Sequence, residues 1–206
     1  VPQIGTVDSK HSFLHFTTNN TIYGTQYKQM PSDVGVPLVA DMSSDIMSRE
    51  FDASQFKLIY AGAQKNMGPA GTVMYALDRD AIGKTGRDIP SYLDLGVHLG
   101  KEGMFNTPPV FSVFTTLLTM RWLKNLGGVA AIEKINNEKA ALLYSEIDRN
   151  PLFSGHADID SRSNMNLTFR LNDNSKGARF DELCNATAIS GIKGHRSVGG
   201  YRASIY

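Results

Sequence analysis

The chain has 206 residues, 41% of them hydrophobic, and carries 21 basic against 20 acidic side chains for a formal net charge of +1. That is enough apolar material for one or two cored domains, and so even a charge balance gives no reason to expect nucleic acid or an acidic membrane as a partner. The single cysteine, Cys184, excludes an internal disulfide and fits a reducing, cytoplasmic compartment.

No run approaches the roughly 18 apolar residues of a membrane-spanning helix. The chain begins "VPQIGTVDSK", with neither a starting methionine nor a signal-peptide pattern, and stops on the strand-like "GYRASIY". Both ends are expected to be cuts in a longer protein.

"FLHFTTNNTIYGTQY" reads as strand, turn and strand, with Asn19-Asn20 at the break. "VPLVADMSS" is an apolar run without alternation, the pattern of a parallel strand buried on both faces. "SDIMSREFDASQF" is expected to be a short helix or turn, "FKLIYAGA" a second apolar strand, and "GTVMYALDRDAIG" a further strand with a charged connection. This rhythm predicts an α/β layer with ligand chemistry at the C-terminal ends of its strands. "SYLDLGVHLGKEGMFNTPPV", rich in glycine and closed by Pro-Pro, reads as a long functional loop.

The segment from Phe111 to Asn150 is helical in pattern. Phe111, Phe114, Leu118, Trp122 and Leu126 form a stripe expected to face the core, and Gly127-Gly128 breaks the helix. Ile132, Ile135, Ala140, Leu143 and Ile147 mark a second helix that Asn150-Pro151 ends. "SNMNLTFRL", "ARFDELCNATAISG" and "IKGHRSVGGYRASIY" then read as strand, helix, strand. The division expected is 1–126, part of a large domain with its connecting helix, and 127–206, a smaller and incomplete α/β domain.

Three places could carry chemistry. Lys65 follows an apolar strand within "YAGAQKNMGPAG"; a partly buried amine there can attack a carbonyl, while the plain alternative is a loop lysine in solvent. A GxxxxGK[ST] phosphate loop is excluded, because Asn66 follows the lysine and the glycines come after it. Asp41 ends the preceding strand, so two neighbouring parallel strands would bring a carboxylate and an amine to one crevice, as pyridoxal phosphate requires. Its alternative is a helix N-cap. His195, Arg196 and Arg202 lie among the glycines of "GHRSVGGYR", suited to a carboxylate or phosphate or else ordinary surface charge. His11, His15, His98 and His156 are scattered without metal-ligand spacing, and no GxSxG elbow is present.

Through "NNTIYG", "ADMSSD", "IYAGAQKNMGPAG", "FNTPPVFSVF", "SNMNLTFRL" and "GHRSVGGYRASIY", the chain resembles the phosphoserine aminotransferase family, fold-type I pyridoxal-phosphate enzymes. The resemblance implies that Lys65 holds the cofactor and later moves a proton, and that Asp41 partners the pyridine nitrogen. It implies that Gln64 binds the cofactor phosphate and that Thr21 lies near the phenolic oxygen. Asn106 and Thr107 would reach the phosphate of a neighbouring subunit's cofactor, which implies a homodimer. His195, Arg196 and Arg202 would bind the substrate's phosphate and carboxylate, Arg202 taking the carboxylate.

The activity implied is transfer of an amino group between glutamate and 3-phosphohydroxypyruvate, giving O-phosphoserine and 2-oxoglutarate, for serine and possibly vitamin B6 synthesis. No metal is expected. Asn20 departs from the acidic residue that the family usually has before the threonine. The family's N-terminal portion and extreme C-terminus have no counterpart here, so the 206 residues alone are expected to be inactive. The alternatives are a non-catalytic fragment and a serine–glyoxylate type of aminotransferase.

Overall fold

The computed structural model describes residues 1–83 and 86–206. Its first sheet is built from β1 (Leu14–Thr17), β4 (Leu38–Asp41), β5 (Phe56–Gly62) and β6 (Val73–Leu77), in that spatial order. β1, β4 and β5 run parallel, and β6 closes the edge antiparallel to β5. Between β1 and β4, the two-residue strands β2 (Asn19–Asn20) and β3 (Thr25–Gln26) form a small ribbon. The segment 42–55 is turns and a 3-10 turn at Ala53–Gln55, the form expected of it.

The sheet has two unlike faces. Phe16, Leu38, Ala40, Phe56, Ile59 and Ala61 enter a core completed by Met42, Ile46 and Met67. A register shift between Leu38 and Val39 lets both Phe56 and Ile59 face that core. The opposite face carries His15, Asp41, Tyr60 and Tyr75 and is open or half-open. β4 therefore alternates buried and half-buried rather than being buried on both sides, because only one face is covered in these residues.

The segment read as one long loop contains a 3-10 turn at Ser91–Leu93 and α1 (Leu95–Gly100). Asp94 starts α1 by accepting from Gly96 N at 2.8 Å, and His98 packs edge-on to Tyr92 and Phe105. The glycines hid this short helix.

α2 (Val110–Leu126) ends at Gly127, which takes φ 115° and so permits the left-handed cap. α3 (Gly128–Arg149) follows and ends before Pro151. The core expectation for the α2 stripe is corrected: Phe111 is 76% and Trp122 55% exposed, with Phe114, Leu118 and Leu126 also open. α2 instead buries Ser112 and Leu123. Its apolar residues run around nearly the whole circumference, so periodicity found the helix without choosing its inner side. On α3, Ala140 and Ile147 are buried and Leu143 is half-buried, while Ile135 is exposed.

The second sheet is antiparallel, β7 (Phe153–Gly155), β8 (Asn166–Leu171) and β9 (Tyr201–Ser204), with α4 (Gly177–Ala186) packed against it. Ile147, Phe169, Leu171 and Tyr201 form its core with Phe153 and Phe180. β7 is three residues long, too short to stand out in the sequence.

Candidate active site

β4 and β5 lie in register with Asp41 opposite Tyr60, so the carboxylate and the turn after β5 share the C-terminal edge of the parallel sheet. Ser43 joins the two ends: its N–H donates to Asp41 Oδ1 at 2.9 Å, and its Oγ accepts from Gly62 N at 3.0 Å. The turn itself is closed by Ala63, whose carbonyl accepts from Met67 N at 3.1 Å and Gly68 N at 2.8 Å, and whose N–H donates to Thr72 O at 2.9 Å. Lys65 stands half-buried on this turn. Gln64 folds back over Gly62, where a Cβ would come within 2.3 Å of Gln64 Oε1, so the glutamine amide lies against the Gly62 backbone.

Lys65 Nζ donates to Thr21 Oγ1. Thr21 is presented by the turn between β2 and β3, which Asn20 organises by accepting from Ile22 N at 3.0 Å and Tyr23 N at 3.1 Å. An amide oxygen thus fills the acceptor place that an acidic residue would fill. From the second sheet, Arg202 Nη1 donates to Thr21 O at 3.5 Å, and its Nε is buried without a partner. Tyr206 places its ring 5.9 Å from Lys65 Nζ.

Buried amides lock this approach of the two sheets. Asn19 Nδ2 donates to Ser44 Oγ at 2.8 Å and to Asn166 Oδ1 at 2.9 Å, and Asn166 Nδ2 donates to Tyr206 Oη at 2.9 Å. Below, the buried Asp45 accepts from Thr18, Gln26 and Arg49, and burial pushes its carboxyl above the usual range.

Of the residues singled out in the sequence, Asp41, Gln64, Lys65, Thr21 and Arg202 gather here. His195 and Arg196 do not join them: His195 Nδ1 bonds Ser197 Oγ at 2.7 Å within its own loop, and Arg196 is exposed. Asn106 and Thr107 are exposed on the loop into α2. That helix packs on the lysine turn through Ser112 Oγ, which donates to Ala70 O at 2.8 Å. Ser43 and Tyr206 were missed as site residues, although both stand inside quoted stretches, "ADMSSD" and "RASIY". Among the described residues, no group of three or more His, Cys, Asp or Glu could hold a metal.

The chain is 58% identical over 206 residues to the phosphoserine aminotransferase of Flavobacterium psychrophilum, covering 100% of this chain and 58% of that protein. The solved phosphoserine aminotransferase of Bacillus circulans subsp. alkalophilus superposes with TM-score 0.93 at 40% identity, over 97% of this chain and 56% of that one. A pyridoxal-phosphate-bound phosphoserine aminotransferase from Trichomonas vaginalis does so with TM-score 0.91 at 33% identity, over 98% and 57%. The chain therefore spans less than two thirds of the length of these relatives. The profile of the family described as aminotransferase class-V matches residues 4–206, and the chain belongs to that family.

Proposed function

We propose that these residues are the lysine-bearing part of a pyridoxal-phosphate aminotransferase that exchanges an amino group between glutamate and 3-phosphohydroxypyruvate. The observation that carries this reading is the amine of Lys65 at the same sheet edge as Asp41, in contact with Thr21 and approached by Arg202. The residues suit the cofactor. Gln64 lies over the Gly62 backbone, Asp41 is oriented by Ser43, and Arg202 keeps a buried N–H without a partner.

Pyridoxal phosphate, when bound, supplies an aldehyde that takes up amines and a ring that withdraws electrons from the substrate's α-carbon. Lys65 would hold the aldehyde and later carry a proton on its Nζ. Asp41 would keep the ring nitrogen protonated, Thr21 would bond the phenolic oxygen, and Gln64 the phosphate. Arg202 would hold the substrate carboxylate by paired N–H donors, with His195 and Arg196 on its phosphate.

Asn106 and Thr107 would serve the cofactor of a second subunit in a homodimer, a role that suits their exposure. The two buried clusters on either side of Gly127 support the division at residues 126 and 127. The single cysteine, Cys184, buried and unpaired, supports a cytoplasmic setting. No helix among the described residues is long and apolar enough to cross a membrane. With the α2 stripe open and only part of the relatives' length present, the 206 residues alone would turn over little. A related phosphorylated 2-oxo acid, as in vitamin B6 synthesis, would fit the same groups.

The test is to mix the complete protein with pyridoxal phosphate, reduce with borohydride and map the modified residue by mass spectrometry. Label at Lys65 is expected; label at another lysine, or none, sinks the site assignment. Amination of glyoxylate or pyruvate as readily as phosphohydroxypyruvate would remove the phosphate role given to His195 and Arg196 and favour a serine–glyoxylate type of enzyme.

A further inference from the structure

Cross-strand register places Asp41, Tyr60 and Tyr75 in one row on the open face of the first sheet. His15, from β1, reaches into that row. Its ring stacks on Tyr60 with centroids 5.9 Å apart and planes 15° from parallel, and its Nε2 lies 3.0 Å from Tyr60 Oη. On the other side Tyr60 stands beside Asp41 in the strand register, and burial first, then the nearby charge of Asp41, hold the phenol proton more tightly than usual. A phenol has one proton to give. Given to Asp41, it would leave the phenol oxygen as an acceptor, and the imidazole would donate from Nε2. The bonds would then run one way, from His15 to Tyr60 to Asp41, each donor polarising the next.

A histidine stacked on a tyrosine is by itself an ordinary sheet contact. Here the row ends on a carboxylate whose Oδ1 is already engaged by Ser43 N, with Tyr60 as its neighbour on β5. An orienting partner behind a charged group is a common way to fix its aim. Nothing in packing requires polar groups there, since Val39 and Leu58 occupy the same face.

We propose that Tyr60 donates to Asp41 with His15 behind it, the two acting as positioning residues that keep the carboxylate aimed so that the cofactor's ring nitrogen retains its proton. This rests on the reading of Asp41 as the partner of that nitrogen.

The experiment loads the complete protein with pyridoxal phosphate carrying ¹⁵N in the ring and records its chemical shift at one fixed pH. Tyr60→Phe and His15→Phe both keep a ring of similar size, so the stack is preserved while the donor is lost. Each is expected to move the resonance toward that of unprotonated pyridine and to lower kcat roughly tenfold, as one charge-assisted hydrogen bond would, with KM nearly unchanged. His15→Gln, which retains an N–H donor, is expected to recover most of both effects. A resonance unmoved in Tyr60→Phe and His15→Phe, while borohydride still fixes the label on Lys65, overturns this inference alone. A change in His15→Phe that His15→Gln leaves uncorrected also overturns it, because packing would then be the cause. Wild-type protein that takes no label at Lys65 overturns the cofactor reading and this inference with it.

Discussion

Arg202 enters the site with one N–H on Thr21 O and another buried without a partner, so its guanidinium is only partly used by the protein. Replacing it with alanine should raise KM for glutamate about ten- to a hundredfold, the worth of a charge-assisted hydrogen bond to a carboxylate. Arg202→Lys should recover only part, since an ammonium cannot make the paired contact; steady-state kinetics on the complete protein decides this, and an unchanged KM in Arg202→Ala would remove the carboxylate role.

A second residue-scale expectation concerns pH. Loss of water around its amine, and next the charge of Arg49, push Lys28 from the usual 10.5 down to about 8. Between those values the unfolded chain binds more protons than the folded one, so stability rises with pH across that window. Urea titrations of Lys28→Met at pH 8 and pH 10 should lose that rise; an identical slope in wild type and variant would show that the lysine does not cause it.

At the scale of elements, α2 bears on the lysine turn through close contacts. A Cβ at Gly68 would lie 2.7 Å from Thr116 Oγ1 and 3.2 Å from Thr116 Cα, so both side chain and helix backbone would have to give. Gly68→Ala should therefore cost about 1–3 kcal/mol, read as a lower thermal midpoint. The two sides of α2 can be told apart in the same way. Leu123→Ala should cost about 2–5 kcal/mol, whereas Trp122→Gln in the 206-residue chain should stay within about 0.5 kcal/mol. Equal losses would place Trp122 in a core after all.

These elements also show what could be read beforehand. "VPLVAD" and "FKLIYAGA" announced two neighbouring strands because runs of apolar and aromatic residues suit a pleated, buried surface, and Asp41 and Lys65 at their ends followed from chain direction. Arg202 stood out as an arginine among glycines suited to an anion, while Thr21 came from family resemblance; nothing local says that residues so far apart will meet. His15 and Tyr60 were invisible: one looked scattered, the other apolar filler, and only cross-strand register brings them together.

For the whole molecule, the antiparallel edge strand β6 matters beyond sheet order. β5, the lysine turn and β6 make one continuous hairpin, pairing Gly62 with Val73 next to the turn and zipping outward. Such contacts close over short stretches of chain, while Thr21 reaches Lys65 across 44 positions and Arg202 reaches Thr21 across 181. Loop-closure entropy grows with separation, and distant pairings slow folding. The setting of Lys65 should thus form early during refolding and Arg202 should arrive late. Pulse-labelling hydrogen exchange should protect the amides of Ala61 and Ala63 before that of Ser163, which donates across the two sheets to Gly24 O at 2.9 Å. The reverse order would mean that the second sheet templates the turn, and Lys65 would then owe its place to the most distant part of the chain.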